Sequence, residues 1–316
     1  MANFILRSIV LTAALLISIT AKAGCYTNQG GAAPRNATIT QTPITVQRDA
    51  PVGSIIGTIT LQIESLPYLS CSGSSTMNYQ MNLFSAPTGM PNVFATNITG
   101  VGISLMQPSS GIFFKNPASV IPVNGTSTIN TSTLTTNLVK TGPITSGVIA
   151  SGLLAKVSGD DGLNAWNISL SGAAVTQLAC SINTPSLTFP IGDIPVSRFG
   201  TSVGITPSGA ENRQDLGLNC DAGANINVSL SGTPNPDVST PGVLALSGQG
   251  SEGVATGVGV QILLNGAPLN LNDRLLLKQA SGGQQTFPLI ARYYQTRTTV
   301  TTGTANSSAT LSITYQ

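Results

Sequence analysis

The sequence contains no histidine, and charged residues make up only 8% of its 316 positions. Without histidine, neither a Ser-His-Asp triad nor a Cys-His pair can be assembled. Asp160 and Asp161 come nearest to the paired carboxylates of a glycosidase, but neighbours on a strand point to opposite faces. The composition therefore predicts a protein that is not an enzyme.

The sequence also lacks an excess of charge of either sign, with 13 Lys and Arg against 11 Asp and Glu. No basic stripe is present, so nucleic-acid binding is not expected. The one long apolar run, "SIVLTAALLISI" (8–19), is too short for a membrane span, which needs about 20 residues. Because Arg7 precedes it and "AKA" (21–23) follows it, residues 1–23 are predicted to be a secretory signal peptide cleaved after Ala23. The exported chain would be formally neutral, without membrane insertion.

Cysteine is scarce, and its four residues are Cys25, Cys71, Cys180 and Cys220. In an exported protein an even number of cysteines indicates disulfides, and four cysteines allow three pairings. Local pairing, Cys25 with Cys71 and Cys180 with Cys220, gives one bridge in each half and is the pairing we favour. The alternative is a metal site, but the chain lacks histidine and any C-x-x-C spacing, so no metal is predicted.

Sustained helical periodicity is absent, whereas apolar residues alternate with Thr, Ser, Gln or Asn in one segment after another. "LNDRLLLKQ" (271–279) is short enough to be a strand edge or a single turn. The pattern predicts an all-β protein. Its predicted strands are 37–47, 53–65, 100–106, 146–159, 165–172, 186–196, 224–232, 242–248, 257–266, 287–296 and 307–316.

A G-x-G-x-x-G match, "GQGSEG" (248–253), has Asp273 at the expected distance for a dinucleotide site. Such a site needs a helix directly after the glycines, to aim its N-terminus at the pyrophosphate. The residues that follow, "VATGVGVQILL", are rich in glycine and β-branched side chains and predict a strand. We therefore expect a glycine-rich loop here and no cofactor.

The exported chain is long enough for two hydrophobic cores. The uncharged segment "GAAVTQLAC" (172–180) straddles the gap between the two cysteine pairs, so the boundary is expected within it. We predict an N-terminal domain at 24–175 and a C-terminal domain at 176–316, both β-sandwiches.

The last ten residues, "SSATLSITYQ", alternate strictly, and their apolar side chains share one face. Those side chains belong to Ala309, Leu311, Ile313 and Tyr315. An ordinary edge strand of a complete sandwich would have this pattern, and so would a strand whose apolar face receives a partner.

Several stretches together resemble the pilin domain of chaperone–usher fimbriae. They are the second cysteine pair, "GVGVQILLNGAPLNL" (257–271), "FPLIARYYQT" (287–296), Gly303 and the closing "TYQ". The first half resembles two-domain fimbrial tip adhesins through its early cysteine, "DAPVGSIIGTI" (49–59) and "DDGLNAWNI" (160–168). Among these adhesins it is similar to the type 3, collagen-binding group, and more loosely to the type 1, mannose-binding group.

The resemblance implies two immunoglobulin-like or jelly-roll-like β-sandwich domains, of which the C-terminal one is an incomplete pilin fold lacking one strand. A periplasmic chaperone would donate the missing strand first. At the outer-membrane usher, an adjacent fimbrial subunit would replace it. Ala309, Leu311, Ile313 and Tyr315 would pair with the donor strand. Because a whole domain precedes Cys180, the chain has no strand of its own to give, which implies a position at the fimbrial tip.

For the N-terminal domain, the resemblance places Asp160 on the sugar-binding aspartate of the type 1 group. The polar and aromatic partners of that aspartate fall on Leu153, Ala155 and Gly162, which cannot replace their contacts, so mannose binding is not expected. Asp160, Asp161 and Asn164 form a polar loop and are our candidate ligand-binding residues.

These observations predict a fimbrial tip adhesin, exported through the periplasm to the cell surface. Its external ligand would be a host matrix protein or a glycan. The main alternative is a minor structural subunit that caps the fibre and binds no external ligand, and a periplasmic enzyme is a distant third.

Overall fold

The structure, a computed structural model, describes residues 24–27, 34–63, 69–124, 127–129 and 133–316. The predicted signal peptide, residues 1–23, lies outside these ranges. Within them no helix is long and apolar enough to cross a membrane. The chain divides into two compact units, one of residues up to Ile44 with Val52–Val175, and one of Thr45–Pro51 with Thr176–Gln316.

The first unit is built from antiparallel sheets with one parallel pair, β2 beside β15. Its sheets have the strand orders β1-β5-β11, β10-β6-β14-β15-β2 and β4-β12-β8-β7, with β9 beside β8. Its strands are β1 (Gly24–Thr27), β2 (Arg35–Ile39), β4 (Ile55–Gln62), β5 (Leu69–Ser72), β6 (Ser74–Met81), β7 (Phe94–Ala95), β8 (Val101–Gln107), β9 (Ile112–Phe113), β10 (Ser119–Asn124), β11 (Ser127–Ile129), β12 (Thr133–Lys140), β13 (Gly147–Val148), β14 (Gly152–Gly159) and β15 (Asn164–Leu170). The chain passes between the units within β3 (Ile44–Gln47) and β16 (Ala174–Leu178).

The core of the first unit lies between its two larger sheets. Every second residue of β6 is buried, because alternate side chains of a strand point to the same face. Tyr79 of β6, Trp166 of β15 and Leu134 of β12 converge on one narrow gap with Phe114. The rings of Tyr79 and Phe114 meet edge to face at 5.3 Å. Trp166, the only tryptophan of the chain, is 5% exposed and therefore contributes to packing.

The second unit is a sandwich of two antiparallel sheets, with strand orders β17-β18-β24-β21-β20 and β23-β19-β25, and β22 beside β21. Buried side chains of both sheets meet in one cluster that includes Leu218, Ile226, Phe287 and Tyr315. Its strands are β17 (Cys180–Ile182), β18 (Glu211–Cys220), β19 (Asn225–Ser231), β20 (Val243–Leu244), β21 (Val258–Leu264), β22 (Ala267–Pro268), β23 (Arg274–Gln279), β24 (Gly283–Gln295) and β25 (Thr310–Tyr315), with a 3-10 turn at Val196–Arg198.

Each unit contains one disulfide. Cys25 joins Cys71 across the β1–β5 pair, and Cys180 joins Cys220 across the β17–β18 pair. In both pairs the cysteines are directly opposite each other in the strand register. The bridges are the local ones, and no cysteine of the described chain is free.

The strand prediction is wrong at residues 186–196, which belong to no strand of the described sheets. Pro190 and Pro195 remove backbone donors there, and no neighbouring strand of the described chain supplies the remaining hydrogen bonds. The glycine-rich motif 248–253 forms turns and is followed by β21, so no helix follows its glycines. Residues 271–279 contain the edge strand β23.

Candidate functional sites

The second unit is open along one side. A groove of about 1150 Å³ lies between the unpaired segment 184–196 and the stretch 300–313 that leads into and includes β25. Its floor consists of apolar side chains from both sheets, among them Leu216, Leu230, Val258, Val260, Leu289 and Ala291. An apolar groove that runs between two extended segments fits an extended chain rather than a compact ligand.

The groove divides the core of the second unit. Buried residues form two separate clusters, one around Tyr315 and one around Val258. Phe189 and Ile262 are only partly buried, and both pack against both clusters. A further strand in the groove would cover these side chains and join the clusters into one core.

β25 is the outer strand of its sheet. It pairs with β19 from Ile226–Tyr315 to Ser231–Thr310, and no strand of the described chain pairs with its other edge. Leu311 and Ile313 are partly buried and line the groove, whereas Ser312 between them is exposed and does not. The alternation in the sequence therefore places one face of β25 in the groove and the other in solvent.

Tyr315 anchors the end of β25. Its side chain is 1% exposed, and its hydroxyl donates a hydrogen bond to the carbonyl oxygen of Cys180 at 3.2 Å. Burial raises the pKa of the Tyr315 phenol above its usual value of 10.0. The guanidinium of Arg48 lies 4.4 Å from the ring centre, within the range of a cation–π contact.

The candidate loop of the first unit is held by its own carboxylates. Asp160 Oδ2 accepts a hydrogen bond from the Thr76 backbone N–H at 3.0 Å. Asp161 uses both oxygens, since Oδ2 accepts from the Cys25 N–H at 2.7 Å and Oδ1 from the Leu163 N–H at 3.0 Å. Both aspartates are exposed. Asp161 fixes β1 against the β14–β15 hairpin, whereas the Asp160 carboxylate is bonded through one oxygen only.

Asn164 lies at the start of β15 and takes part in a row of amides. Its Nδ2 donates to Asn167 Oδ1 at 2.9 Å, and Asn167 Nδ2 donates to Asn36 Oδ1 at 3.3 Å across the parallel β15–β2 pair. The Asn164 Oδ1 atom is buried without a hydrogen-bond partner among the described residues. The three candidate residues are therefore near one another in the chain, but their polar groups are largely directed to different backbone and amide partners.

Comparison with known proteins accounts for both units. The family described as MrkD-like receptor binding domain matches residues 38–172, and the family described as fimbrial protein matches residues 168–316. A fimbria adhesin protein of Klebsiella pneumoniae is 29% identical over an alignment of 293 residues that covers 86% of this chain and 88% of the relative. A type-1 fimbrial protein subunit of Serratia marcescens is 32% identical over an alignment of 154 residues that covers 45% of this chain and 82% of the relative. The chain belongs to the fimbrial adhesins.

The adhesin is also similar to the crystal structure of the receptor binding domain of adhesin MrkD1P of Klebsiella pneumoniae, with 20% identity and a TM-score of 0.42. That match covers 51% of this chain and 99% of the solved one. Fimbrial proteins are structural proteins that are exported to the cell surface. The family assignment confirms the resemblance found in the sequence, and the structure confirms the all-β fold.

Two features of the adhesin were missed from the sequence. Residues 184–196 form a wall of the groove, and their missing partner could be seen only once the sheets were in place. Tyr26 follows the disulfide-bonded Cys25, whose N–H is bound by Asp161, and its side chain is 55% exposed. An exposed tyrosine beside a fixed backbone is a suitable contact for a ligand, but nothing in the local sequence pattern distinguishes it from a buried one.

Proposed function

We propose that the adhesin lies at the tip of a chaperone–usher fimbria, where the groove of the second unit receives a strand from another protein. The groove carries this proposal. It has an apolar floor, an unpaired extended wall at 184–196 and the open edge of β25 on its other side. An added strand would supply hydrogen bonds to that edge and side chains to the floor.

The partners that follow from this proposal are a periplasmic chaperone, which fills the groove during export, and an adjacent fimbrial subunit, which replaces it at the outer-membrane usher. Residues 24–175 would carry the receptor-binding domain and residues 176–316 the anchoring domain. The proposed function is attachment by binding alone and includes no catalytic turnover. Of the four residues predicted from the sequence to pair with the donor strand, Ala309, Leu311 and Ile313 remain the proposed ones. The backbone N–H and carbonyl oxygen of Tyr315, the fourth, are bonded to Asp49.

Two substitutions on β25 test whether the groove accepts a strand. Leu311→Arg places a charge in the groove, whereas Ser312→Arg places the same charge on the exposed face one residue away. We expect Leu311→Arg to abolish binding of a synthetic peptide of alternating Val, Ile and Thr, because burial of an unpaired charge is costly. Ser312→Arg should bind the peptide as the unchanged chain does.

Equal binding by both variants, or loss of binding in both, would contradict strand insertion into the groove. Fluorescence anisotropy of the labelled peptide against the full chain measures the two affinities. Circular dichroism of each variant serves as the control for folding.

We further propose that the loop containing Asp160, Asp161 and Asn164, together with Tyr26, contacts the external ligand, a matrix protein or a glycan. Asp160 is the residue to change first, because Asp160→Asn removes the charge and keeps an oxygen for the Thr76 N–H. Asp161 is unsuitable for a first test, since both of its oxygens hold backbone N–H groups.

The full chain should be screened against a panel of matrix proteins and a glycan array, alongside the Asp160→Asn and Tyr26→Ala variants. A saturable ligand that both variants lose would support the loop as the binding site. If both variants bind a ligand as the unchanged chain does, the binding site lies elsewhere in the first unit. If the folded chain binds nothing on either panel, the capping subunit without an external ligand becomes the better proposal.

A further inference from the structure

The segment Thr45–Pro51 is encoded in the first half of the chain but packs with the second unit. Its attachment begins at Gln47, whose Nε2 donates to the Gly223 carbonyl oxygen at 2.8 Å. The Oε1 atom of the same side chain accepts from the Asn225 N–H at 3.0 Å. The Arg48 N–H donates to the Leu178 carbonyl oxygen at 2.9 Å. The segment is therefore fixed to the start of β19 and the end of β16.

Asp49 lies against the last residue of β25 and bonds it from both sides. The Asp49 N–H donates to the Tyr315 carbonyl oxygen at 2.9 Å, and the Tyr315 N–H donates to Asp49 Oδ2 at 2.8 Å. One residue thus meets both backbone groups of Tyr315, as a paired strand residue would. Tyr315 is already occupied at its outer edge.

Arg48 orients the carboxylate that makes this contact. Its Nε and Nη2 atoms donate to the two Asp49 oxygens, each at 2.9 Å, which is the paired geometry that best fixes a carboxylate. Arg48 Nη2 also lies 3.5 Å from the Ile313 carbonyl oxygen, and its guanidinium covers the Tyr315 ring. The pair is partly exposed, so its role is geometric and it adds little to stability.

These contacts define which part of the β25 edge is open. In an antiparallel pair, successive residues direct their backbone groups alternately toward and away from the neighbouring strand. Because the groups of Tyr315 point away from β19 to Asp49, those of Ile313 and Leu311 point to the same outer side. No hydrogen bond recorded for the described chain occupies the backbone groups of Leu311 on that side.

We propose that Arg48 and Asp49 close the C-terminal end of the β25 edge and thereby set the position at which an incoming strand stops pairing. This inference depends on the proposed strand-accepting function of the groove. It makes Asp49 a register-determining residue, which limits pairing to the stretch that ends at Ile313. The donor strand would be chosen by its length as well as by its apolar alternation.

Three synthetic peptides test the inference on the full chain. The base peptide alternates apolar residues and is designed to pair antiparallel with residues 309–313, because both existing pairings in this sheet are antiparallel. The second peptide has two more residues at its N-terminus, which would lie beside Tyr315. The third has two more residues at its C-terminus, at the opposite end of the edge, and is the matched control.

On the unchanged chain we expect the N-extended and base peptides to bind within a factor of two of each other. On Asp49→Ala the N-extended peptide should bind up to about tenfold more tightly than the base peptide, which corresponds to one additional hydrogen bond, made to the freed Tyr315 N–H. The backbone N–H of residue 49, which bonds the Tyr315 carbonyl oxygen, is unchanged by the substitution. Asp49→Asn keeps a side-chain oxygen that can accept from the Tyr315 N–H and should behave as the unchanged chain. The effect of the C-terminal extension should be the same on all three proteins.

Amide hydrogen exchange of the base-peptide complexes gives a second readout. The Tyr315 amide should be protected in the unchanged chain and in Asp49→Asn, and should exchange faster in Asp49→Ala. A tenfold gain from the N-terminal extension on the unchanged chain would overturn the inference without any variant, as would Tyr315 protection that does not depend on Asp49. If the base peptide does not bind the unchanged chain at all, the strand-accepting function fails first and the inference fails with it.

Discussion

Tyr315→Phe isolates the hydrogen bond that ties the final strand to the second disulfide. The substitution removes only the hydroxyl, which donates to the Cys180 carbonyl oxygen at 3.2 Å in a side chain that is 1% exposed. The ring keeps its packing, so the loss is one buried hydrogen bond and an acceptor left without its donor. We expect the free energy of unfolding of the second unit to fall by about 1–2 kcal/mol. For a unit of this size the melting temperature should fall by about 3–6 °C.

The same hydroxyl makes the free energy of unfolding of the second unit depend on pH in the alkaline range. Burial raises the pKa of Tyr315 above 10.0, so the folded state holds the proton more firmly than the unfolded chain does. A group with a raised folded pKa contributes its full stabilisation below its unfolded pKa and loses it as the pH rises through the folded value. The stability difference between the unchanged chain and Tyr315→Phe should therefore be constant below pH 10 and shrink above it.

Differential scanning calorimetry of the full chain measures both effects, with the two units treated as separate transitions. Tyr26→Phe is the control, because Tyr26 is exposed and should leave both transitions unchanged. A melting temperature unaffected by Tyr315→Phe would refute the anchoring role of the hydroxyl. A stability difference that stays constant well above pH 10 would refute its link to the buried phenol.

Three further predictions concern other parts of the structure. Gly100→Ala should destabilise the first unit by about 3–5 kcal/mol in chemical denaturation, because φ is +78° and a Cβ would lie 2.1 Å from the Pro143 carbonyl oxygen. Gly111→Ala is the control, since φ is also positive, at +67°, but a Cβ there would meet no other atom. It should cost only about 1–2 kcal/mol. Replacing both Cys180 and Cys220 by Ser should lower the stability of the second unit by about 2–4 kcal/mol, since the bridge closes a loop of 40 residues. Asp161→Ala should increase hydrogen exchange at the Cys25 amide, while the Thr76 amide, held by Asp160, should not change.

Strands could be predicted from the sequence where they are long enough for the alternation of apolar residues to be visible. All but the last residue of the segment 287–296 lie within β24, the longest strand of the described chain. This strand pairs on both sides and therefore needs its alternation. Short strands such as β7 (Phe94–Ala95) and β22 (Ala267–Pro268) were not predicted, because two residues carry no periodicity. They exist because a longer strand lies beside them.

The role of Arg48 and Asp49 could not be predicted from the sequence. Asp49 and Tyr315 are 266 positions apart, and no local pattern in the sequence connects them. The resemblance of "DAPVGSIIGTI" (49–59) to two-domain tip adhesins, and the position of these residues before Cys71, both attribute them to the first domain. Only the three-dimensional contacts of Gln47, Arg48 and Asp49 attach this segment to the second unit.

The wrong strand prediction at residues 186–196 and the proposed strand-accepting function both follow from the lack, among the described residues, of a neighbouring strand at the groove. Alternation at 186–196 indicates a strand, but backbone pairing requires a neighbour, and the chain provides none there. Across the groove, β25 has the same pattern and a neighbour on one side only. The two segments face each other across the apolar floor, and each lacks a neighbouring strand of the described chain on its groove side. One inserted strand would lie beside both. The misassigned segment is therefore an argument for an external strand, since its pattern is satisfied only when the groove is filled.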